Sequence, residues 1–243
     1  MRYKCTVSYD GTLFHGFQIQ DNLRTVQKEI EDVLLIINKK KTIIYPSGRT
    51  DTGVHAYGQV FHFDSDIDMG CWNMKNAINT RLPKDIYIKE VQKVDDNFHA
   101  RFSALKKEYH YLIDFKEFDP LQKNYRYFYH YKDFDLKKMY EASRMFVGVH
   151  DFRSFTKNHD LTDTTREIYS IDFVYENDLL TIKIIGSGFM RNMVRILVAM
   201  WLEVGRNKYS LSELKSIMDE KNRQFAPKTA PANGLYLYKV YYE

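Results

Sequence analysis

The chain has 243 residues, 44% of them hydrophobic, and a formal net charge of +4. That length can bury a full core, and so mild a positive charge allows a polyanionic partner without requiring one. Its two cysteines, Cys5 and Cys71, form no Cys-x-x-Cys pair, which excludes a disulfide framework or a zinc site of that kind. The N-terminus lacks an apolar signal region, and the most apolar segment, residues 196–202, is too short to span a bilayer. We therefore expect a cytoplasmic protein with no membrane partner.

The first part of the chain has the pattern of β-α-β-β-α-β. Side chains from Tyr3 to Tyr9 alternate between apolar and polar, as in a strand. Apolar residues from Val26 to Ile37 recur at helical spacing behind an N-cap at Thr25. The later elements predicted are strands at residues 42–45 and 58–63, a helix at 72–79 and a strand at 86–94.

The same order recurs after the link 95–104, which predicts a second half of similar design. Its elements are a strand at residues 107–115, a helix at 136–146, strands at 168–175 and 179–185, a helix at 190–204 and a strand at 235–242. An extra helix at 211–221 begins with a capping box formed by Ser210 and Glu213.

This element order predicts an α+β protein made of two ferredoxin-like halves, residues 1–104 and 105–243. Their sheets would join into one antiparallel platform, with helices behind and a central active-site cleft in front. Because no linker rich in Pro, Gly or Ser separates the halves, we expect one catalytic body with two lobes.

Residues 46–56, PSGRTDTGVHA, place an acid, a base, small hydroxyl residues and two glycines in one loop between two predicted strands. Gly48 and Gly53 permit positive φ or a close backbone approach. Arg49 is near enough in sequence to keep Asp51 ionised. From these residues alone, the loop either holds a carboxylate nucleophile or is an Asx-type turn with a surface salt bridge. The hydroxyl residues expected to hydrogen-bond the turn are Ser47, Thr50 and Thr52.

This loop and four further ordered blocks resemble the TruA-type family of tRNA pseudouridine synthases, and the resemblance spans nearly the whole chain. The chain departs from the family pattern at Phe17, where Trp is commoner, and at Thr52, where Ala is commoner. Both positions lie beside the chemistry and bear on packing or substrate choice. The blocks that carry the resemblance are Gly48-Arg49-Thr50-Asp51-x-Gly53-Val54-His55, Tyr9-Asp10-Gly11-Thr12-x-Phe14-x-Gly16-Phe17-Gln18, Asn97-Phe98-His99-Ala100-Arg101-Phe102-Ser103-Ala104, Phe189-Met190-Arg191-Asn192-Met193-Val194-Arg195 and Gly234-Leu235-Tyr236-Leu237.

The resemblance implies an isomerase that converts uridine to pseudouridine in the anticodon stem-loop of tRNA, at positions 38 to 40, after flipping the base. It identifies Asp51 as the catalytic nucleophile. The reaction breaks a C–N glycosidic bond and rejoins the uracil through carbon without net redox change, so it requires a nucleophile and neither a cofactor nor a metal. The resemblance also implies a homodimer in which both copies touch one tRNA.

Four more residues match substrate-binding positions of the family. The resemblance implies that Arg49 assists extrusion of the base and that Arg195 pairs with the nucleophile. Tyr109 matches a tyrosine that stacks on the flipped base or moves a proton, and Leu235 matches an apolar pocket wall. From the residues alone, Arg195 also fits a phosphate-facing surface charge, and Leu235 fits an ordinary core residue. Tyr109 and Tyr111 should point to the same face of a strand, so that one lines the pocket while the other packs in the sheet.

Metal chemistry is a competing interpretation. The carboxylate run Asp64, Asp66 and Asp68 suits a divalent cation and hence a metal-dependent phosphoryl-transfer enzyme. A solvated strand end explains the run better, because apolar residues dilute it and no Gly-x-x-x-x-Gly-Lys loop accompanies it. His55 lies in the motif, but the histidines form no metal-binding spacing, so we expect it to position the loop through a hydrogen bond.

The aromatic content favours RNA as a partner, with 19 tyrosines and 16 phenylalanines in the chain. The run 125–132, YRYFYHYK, suits base stacking and phosphate contact, although the same alternation is typical of a strand with one buried face. A non-catalytic RNA-binding module and a related enzyme acting on another RNA or other positions are therefore alternatives. The predicted phosphate contacts are Lys39, Lys40, Lys41, Arg101, Lys106, Lys107, Arg153 and Arg191.

Overall fold

The chain forms ten strands and five α-helices within residues 1–131, 133–158 and 160–243, which are those that the computed structural model describes. Contacts divide these residues into two units, Met1–Leu105 with Tyr236–Glu243, and Lys106–Leu235. Lys132, the last residue of the aromatic and basic run, lies outside the described residues. Among the helices that are described, each is too short or too polar to cross a membrane. The predicted α+β class is confirmed.

The first unit has the predicted order β-α-β-β-α-β. Its elements are β1 (Arg2–Tyr9), α1 (Val26–Asn38), β2 (Tyr45–Pro46), β3 (His55–Asp64), α2 (Cys71–Asn79) and β4 (Ile86–Val94). β1 lies between β4 and β3, and β2 pairs with the other edge of β3, all in antiparallel orientation. This strand arrangement confirms the ferredoxin-like half predicted for this part of the chain.

The second unit repeats the order with additions. Its elements are β5 (Lys106–Asp114), β6 (Tyr127–Phe128), α3 (Leu136–Arg144), β7 (Gly148–Asp151), β8 (Thr165–Glu176), β9 (Leu179–Gly186), α4 (Met193–Gly205) and α5 (Leu211–Glu220), and the last strand of the chain is β10 (Leu235–Tyr241). β5, β9, β8 and β7 are neighbours in that order and antiparallel, while β6 pairs with β5 in parallel. From Tyr236 onward, β10 belongs to the first unit and pairs in parallel with β3.

Apolar periodicity places the core of each unit. Alternate side chains of β1 are buried, and α1 buries one face that includes Ile30 and Leu34, both without exposed surface. Helix α4 is buried on nearly all sides, and it packs against α3 and α5. Full burial of each large apolar side chain contributes about 1.5–3 kcal/mol. The helices are therefore held mainly by tertiary packing.

The strand predicted at residues 42–45 is reduced to β2, Tyr45–Pro46. The reason is a competing side-chain partner, because the Ile44 N–H donates to Glu31 Oε1 (3.0 Å) on α1 and not to a neighbouring strand. Of the described residues in the run 125–132, only Tyr127 and Phe128 likewise belong to a strand. By contrast, the capping box of α5 is confirmed, with Ser210 and Glu213 each bonded to the other's backbone N–H.

Helix α4 begins three residues later than predicted, at Met193. Asn192 adopts φ +61°, a left-handed conformation that interrupts the helix predicted to start at residue 190. The first turn therefore begins just before Arg195, so that this arginine lies near the helix N-terminus.

Two histidines secure the block 97–104 against β3. His62 Nδ1 accepts a hydrogen bond from the Ala100 N–H (3.1 Å), and the His62 ring stacks on Tyr45 at 5.1 Å. Only 2% of His62 is exposed, and burial lowers its pKa to about 4. His99 lies edge-on to it at 4.7 Å, and burial also lowers the pKa of His99. Both rings are therefore neutral near pH 7.

Candidate active site

The loop that joins β2 to β3 carries Asp51, and an earlier segment of the chain holds it in place. The Phe17 N–H donates to Thr50 O (3.2 Å), and the Gly53 N–H donates to Phe14 O (3.2 Å). These two bonds bracket Asp51 on both sides. The backbone around Asp51 is thus fixed by residues more than thirty positions away in sequence.

Two glycines allow that earlier segment to approach the loop. Gly16 adopts φ +90°, and a Cβ on it would lie 2.8 Å from Thr50 O. A Cβ on Gly11 would lie 2.1 Å from Val54 O. Side chains at either position would collide with backbone atoms, which cannot move aside without displacing the loop. The block 9–18 therefore has a clear structural role beside Asp51.

The start of the loop is fixed from beneath by Gln59 on β3. Ser47 Oγ donates to Gln59 Oε1 (2.7 Å), and Gln59 Nε2 donates to Gly48 O (2.8 Å). The Ser47 N–H donates to Val60 O (2.7 Å). Ser47 and Gln59 have no exposed surface. Since buried hydrogen bonds of this kind are costly to break, they keep the loop in a single conformation.

The middle of the loop is held by Tyr9 on β1. The Tyr9 hydroxyl lies 2.8 Å from Thr50 Oγ1 in a buried hydrogen bond. Burial raises the pKa of Tyr9, so the phenol is neutral at physiological pH. The ring of Phe17 lies 6.2 Å from that of Tyr9 and is fully buried. Phe17 is thus a packing residue behind the loop, whereas Thr52 is exposed.

His55 positions the loop, as predicted from its spacing. The Gly11 N–H donates to His55 Nδ1 (3.0 Å), and Asp10 Oδ1 lies 3.2 Å from the same nitrogen. Nδ1 cannot accept the first bond and donate to the carboxylate at once. The Gly11 hydrogen has a fixed direction, and Asp10 Oδ1 already accepts from the N–H and hydroxyl of Thr12, so we assign Nδ1 as the acceptor. The ring stacks on Tyr236 at 4.7 Å.

Asp51 and Arg49 do not pair as their spacing suggested. Asp51 is half-buried, and its carbonyl accepts from the Val54 N–H (3.1 Å). Arg49 is exposed, and across residues 1–131, 133–158 and 160–243 it forms no ion pair with Asp51. No ion pair among the described residues therefore supports the interpretation of Arg49 as the cation that keeps Asp51 ionised, which stays a prediction.

The second unit carries Tyr109, Arg195 and Leu235. Tyr109 lies on β5, is 9% exposed, and meets the ring of Phe189 edge-on at 5.1 Å. Tyr111 is fully buried, and its hydroxyl donates to Pro231 O (2.8 Å). Of the two tyrosines predicted to share a strand face, Tyr111 is thus the more deeply buried. Leu235 is 4% exposed at the start of β10.

Arg195 is held by the segment that precedes β10. Its Nε–H donates to Ala230 O (2.7 Å), and the Ala230 N–H donates to the carbonyl of Arg195 (3.1 Å). The side chain and the backbone of one arginine thus bind the two backbone groups of one alanine. This reciprocal pair fixes the plane of the guanidinium.

The carboxylate run at the end of β3 does not gather into one cluster. No group of three or more His, Cys, Asp or Glu side chains that could hold a metal ion occurs in the described part of the chain. Each carboxylate pairs with a separate cation: Asp64 with Arg2 (2.8 Å), Asp66 with Lys40, and Asp68 with Lys93 (2.7 Å).

Sequence reasoning assigned no individual role to Tyr9, Gly16 or Gln59. The signal available for the first two was the spacing of small and aromatic residues in the block 9–18. Gln59 lies on a strand whose pattern shows only alternation, so nothing local marked it. All three act by holding the backbone around Asp51.

Comparison with known proteins agrees with the motifs. The family model for tRNA pseudouridine synthases matches residues 6–103 and 142–243. The tRNA pseudouridine synthase A of Geobacillus sp. (strain WCH70) is 50% identical over 244 residues, which covers 100% of this chain and 98% of that protein. The corresponding protein of Bacillus subtilis (strain 168) is 45% identical over 246 residues and 100% of both chains. A solved Cbf5-Nop10-Gar1 complex matches with a TM-score of 0.34 and 12% identity over 82% of this chain and 54% of that chain. The resemblance predicted from the motifs is confirmed, and the chain belongs to the tRNA pseudouridine synthase family.

Proposed function

We propose that this protein isomerises uridine to pseudouridine in tRNA by covalent catalysis at Asp51. The observation that carries the proposal is the loop around Asp51, fixed by buried hydrogen bonds in a chain similar along its length to tRNA pseudouridine synthases. A module that only bound RNA would gain nothing from a carboxylate fixed in this way, because a carboxylate repels phosphates.

The chemistry needs one nucleophile and no external group donor. The Asp51 carboxylate attacks either the anomeric carbon of the ribose or the uracil ring, and the C–N glycosidic bond breaks. The uracil turns and its C5 bonds to the anomeric carbon. C5 then loses a proton and N1 gains one, so the product is an isomer of the substrate, and release of the carboxylate restores the enzyme.

We assign Arg195 as the cation that pairs with Asp51. Arg195 is the charged residue in the first two turns of a helix that is otherwise apolar there, where a charge needs a partner. Because Ala230 takes the Nε–H, the guanidinium presents its two Nη amino groups for an end-on contact with a carboxylate. An opposed cation would keep Asp51 ionised once substrate has excluded water.

Tyr109 and Leu235 supply the surfaces that hold the uracil. Tyr109 offers a ring supported from its side by Phe189, which suits stacking on an extruded base. Leu235 offers an apolar side chain for contact with the uracil. Its burial also fits an ordinary core residue. The exposed guanidinium of Arg49 is suited to contact the RNA during extrusion, since it is not engaged with Asp51.

An open pocket on the sheet of the first unit supplies a surface for the tRNA backbone. The pocket has a volume of about 590 Å³, and the exposed rings of Tyr57 and Tyr238 contribute to its lining. Lys4, Lys89 and Lys239 also line it, and none of the three pairs with a carboxylate within the described parts of the chain. Cations interleaved with aromatic rings suit phosphate contact and stacking.

Two of the basic residues predicted to contact phosphate are engaged elsewhere. Lys40 pairs with Asp66, and Arg153 Nη2 donates to Leu161 O and Thr162 O (both 3.2 Å). These contacts make both residues weaker candidates for binding RNA. Besides Lys40, the exposed residues of the predicted set are Lys39, Lys41, Arg101 and Arg191.

Family membership supports the finer assignments of this proposal. We place the target uridines at positions 38 to 40 of the anticodon stem-loop, and the enzyme in the cytoplasm as a homodimer whose copies share one tRNA. In each copy the two units act as one catalytic body. Sedimentation tests the oligomeric state, and a monomer both alone and with tRNA would refute the dimer.

The experiment that tests the function uses purified protein and unmodified tRNA transcripts. We expect pseudouridine at positions 38 to 40 wherever uridine stands there, without an added cofactor and in the presence of EDTA. Pseudouridine only at other positions would favour a relative with different specificity. Binding of tRNA without any pseudouridine would refute the proposal in favour of a non-catalytic module.

A further inference from the structure

Tyr111 on β5 and Arg195 on α4 form hydrogen bonds with two consecutive residues, Pro231 and Ala230. The Tyr111 hydroxyl donates to Pro231 O (2.8 Å). The neighbouring residue, Ala230, accepts from Arg195 Nε–H (2.7 Å) and donates to the Arg195 carbonyl (3.1 Å). Residues 230 and 231 therefore connect a buried tyrosine to both ends of the arginine. Nothing in the proposed chemistry accounts for a tyrosine at this place.

The residues that follow Pro231 are also held in place by close contacts. A Cβ on Gly234 would lie 2.9 Å from the Tyr111 ring and 2.8 Å from a backbone oxygen of β5, so the segment lies directly on that strand. Asn233 Nδ2 donates to Lys123 O (2.6 Å) and Arg126 O (2.8 Å). With these contacts in place, the Tyr111 hydroxyl sets the position of the Pro231 carbonyl.

We infer that Tyr111 is a positioning residue that sets the plane of the Arg195 guanidinium through Pro231 and Ala230. The inference rests on the proposed function in assigning Arg195 a part in catalysis. An end-on arginine contact depends on the orientation of a rigid plane. A misplacement of about 1 Å at a catalytic group can cost on the order of a hundredfold in rate.

Tyr111→Phe tests the inference, because it keeps the ring and removes only the hydroxyl. We expect kcat to fall about tenfold or more while the KM for tRNA changes less than about twofold and the folded fraction stays unchanged. Tyr129→Phe is the matched control, since the Tyr129 hydroxyl is also buried in the second unit but has no hydrogen-bond partner among the described residues. An unchanged kcat in Tyr111→Phe, or an equal loss in Tyr129→Phe, would overturn the inference.

A double-mutant cycle separates positioning from general packing. If Tyr111 acts through Arg195, Tyr111→Phe should have little further effect on kcat in an Arg195→Lys background. If the loss of kcat in the double variant equals the product of the losses in the two single variants, the tyrosine acts independently of the arginine.

A spectroscopic readout keeps the inference testable apart from activity. In ¹⁵N-labelled protein, the Arg195 Nε–H signal can be assigned because it is absent from the spectrum of Arg195→Lys. This hydrogen should exchange with water at least about tenfold faster in Tyr111→Phe than in the wild-type protein. Unchanged exchange would contradict the proposed positioning. If the wild-type protein makes no pseudouridine, the proposed function fails, and this exchange measurement still decides whether Tyr111 holds Arg195.

Discussion

At the scale of single residues, the role proposed for Asp51 depends on neighbours that take no chemical step. Tyr9, Ser47 and Gln59 are buried, and their hydrogen bonds end on the loop that carries the carboxylate. A nucleophile on a mobile loop would lose much of the advantage of proximity. The buried polar residues beneath this loop are therefore as necessary to the proposed catalysis as the side chains that contact the substrate.

Arg49 gives a prediction at the same scale. Arg49→Ala should slow turnover on folded tRNA about tenfold or more and slow it much less on an unpaired uridine substrate, because the role proposed for Arg49 is to assist unstacking. Arg49→Lys should lie between wild type and Arg49→Ala, since it keeps the charge and loses the planar group. Steady-state rates on the two substrates provide the comparison. Equal losses on both substrates would show that Arg49 has no special part in extrusion.

At the scale of elements, the loop and the segment 11–17 behave as one packed unit. Gly16→Ala would force a side chain into φ +90° and place its Cβ 2.8 Å from Thr50 O. We expect a loss of about 2–4 kcal/mol in the free energy of unfolding and a clear loss of activity. Gly70→Ala is the control, because its φ is +76° but nothing lies within 4 Å of the added Cβ. Denaturant unfolding should show a loss of only about 1 kcal/mol there, and equal losses in the two variants would contradict the account.

The docking of the block 97–104 on β3 should depend on pH through His62. Burial lowers the pKa of His62 from 6.5 to about 4, so between these values the unfolded chain binds a proton that the folded chain does not. The contribution of His62 to the free energy of unfolding is constant above pH 6.5. As the pH drops toward 4, the free energy of unfolding should fall by up to about 1.4 kcal/mol per pH unit. Denaturant unfolding at several pH values should show a shallower fall for His62→Gln, which keeps an acceptor. Parallel curves for the two proteins would refute this role of His62.

At the scale of the whole molecule, the surface proposed for tRNA should give a strong salt dependence. Replacing Lys4, Lys89 or Lys239 with Gln should each reduce the slope of log affinity against log salt by about one, because each contact releases a counterion. Lys28→Gln is the control, since Lys28 pairs with Asp32 on α1. Filter binding at several salt concentrations measures the slopes. An affinity that does not change between low and physiological salt would contradict an electrostatic surface.

A structural feature can be predicted from the sequence when the residues that determine it are close together in the chain. The strand at 86–94 and the capping box of α5 depend on local sequence patterns. The bounds of the strand and the start of the helix were therefore predicted correctly. The shortening of β2, by contrast, depends on the side chain of Glu31 on α1. Such contacts have no local signature. The family was accessible from the sequence because its motif around Asp51 is long and contiguous.

The most direct test of the central claim is the activity of Asp51→Asn on unmodified tRNA, measured together with folding and tRNA binding. The account predicts a nearly unchanged melting temperature, unchanged affinity for tRNA and no detectable pseudouridine, because an amide is a far poorer nucleophile than a carboxylate. Asp66→Asn, the same change in an exposed carboxylate, should retain nearly full activity. Loss of covalent catalysis should cost several kcal/mol of transition-state stabilisation, whereas a tenfold loss corresponds to about 1.4 kcal/mol. An Asp51→Asn protein that kept a tenth of the wild-type rate would therefore contradict the assignment of Asp51 as the nucleophile.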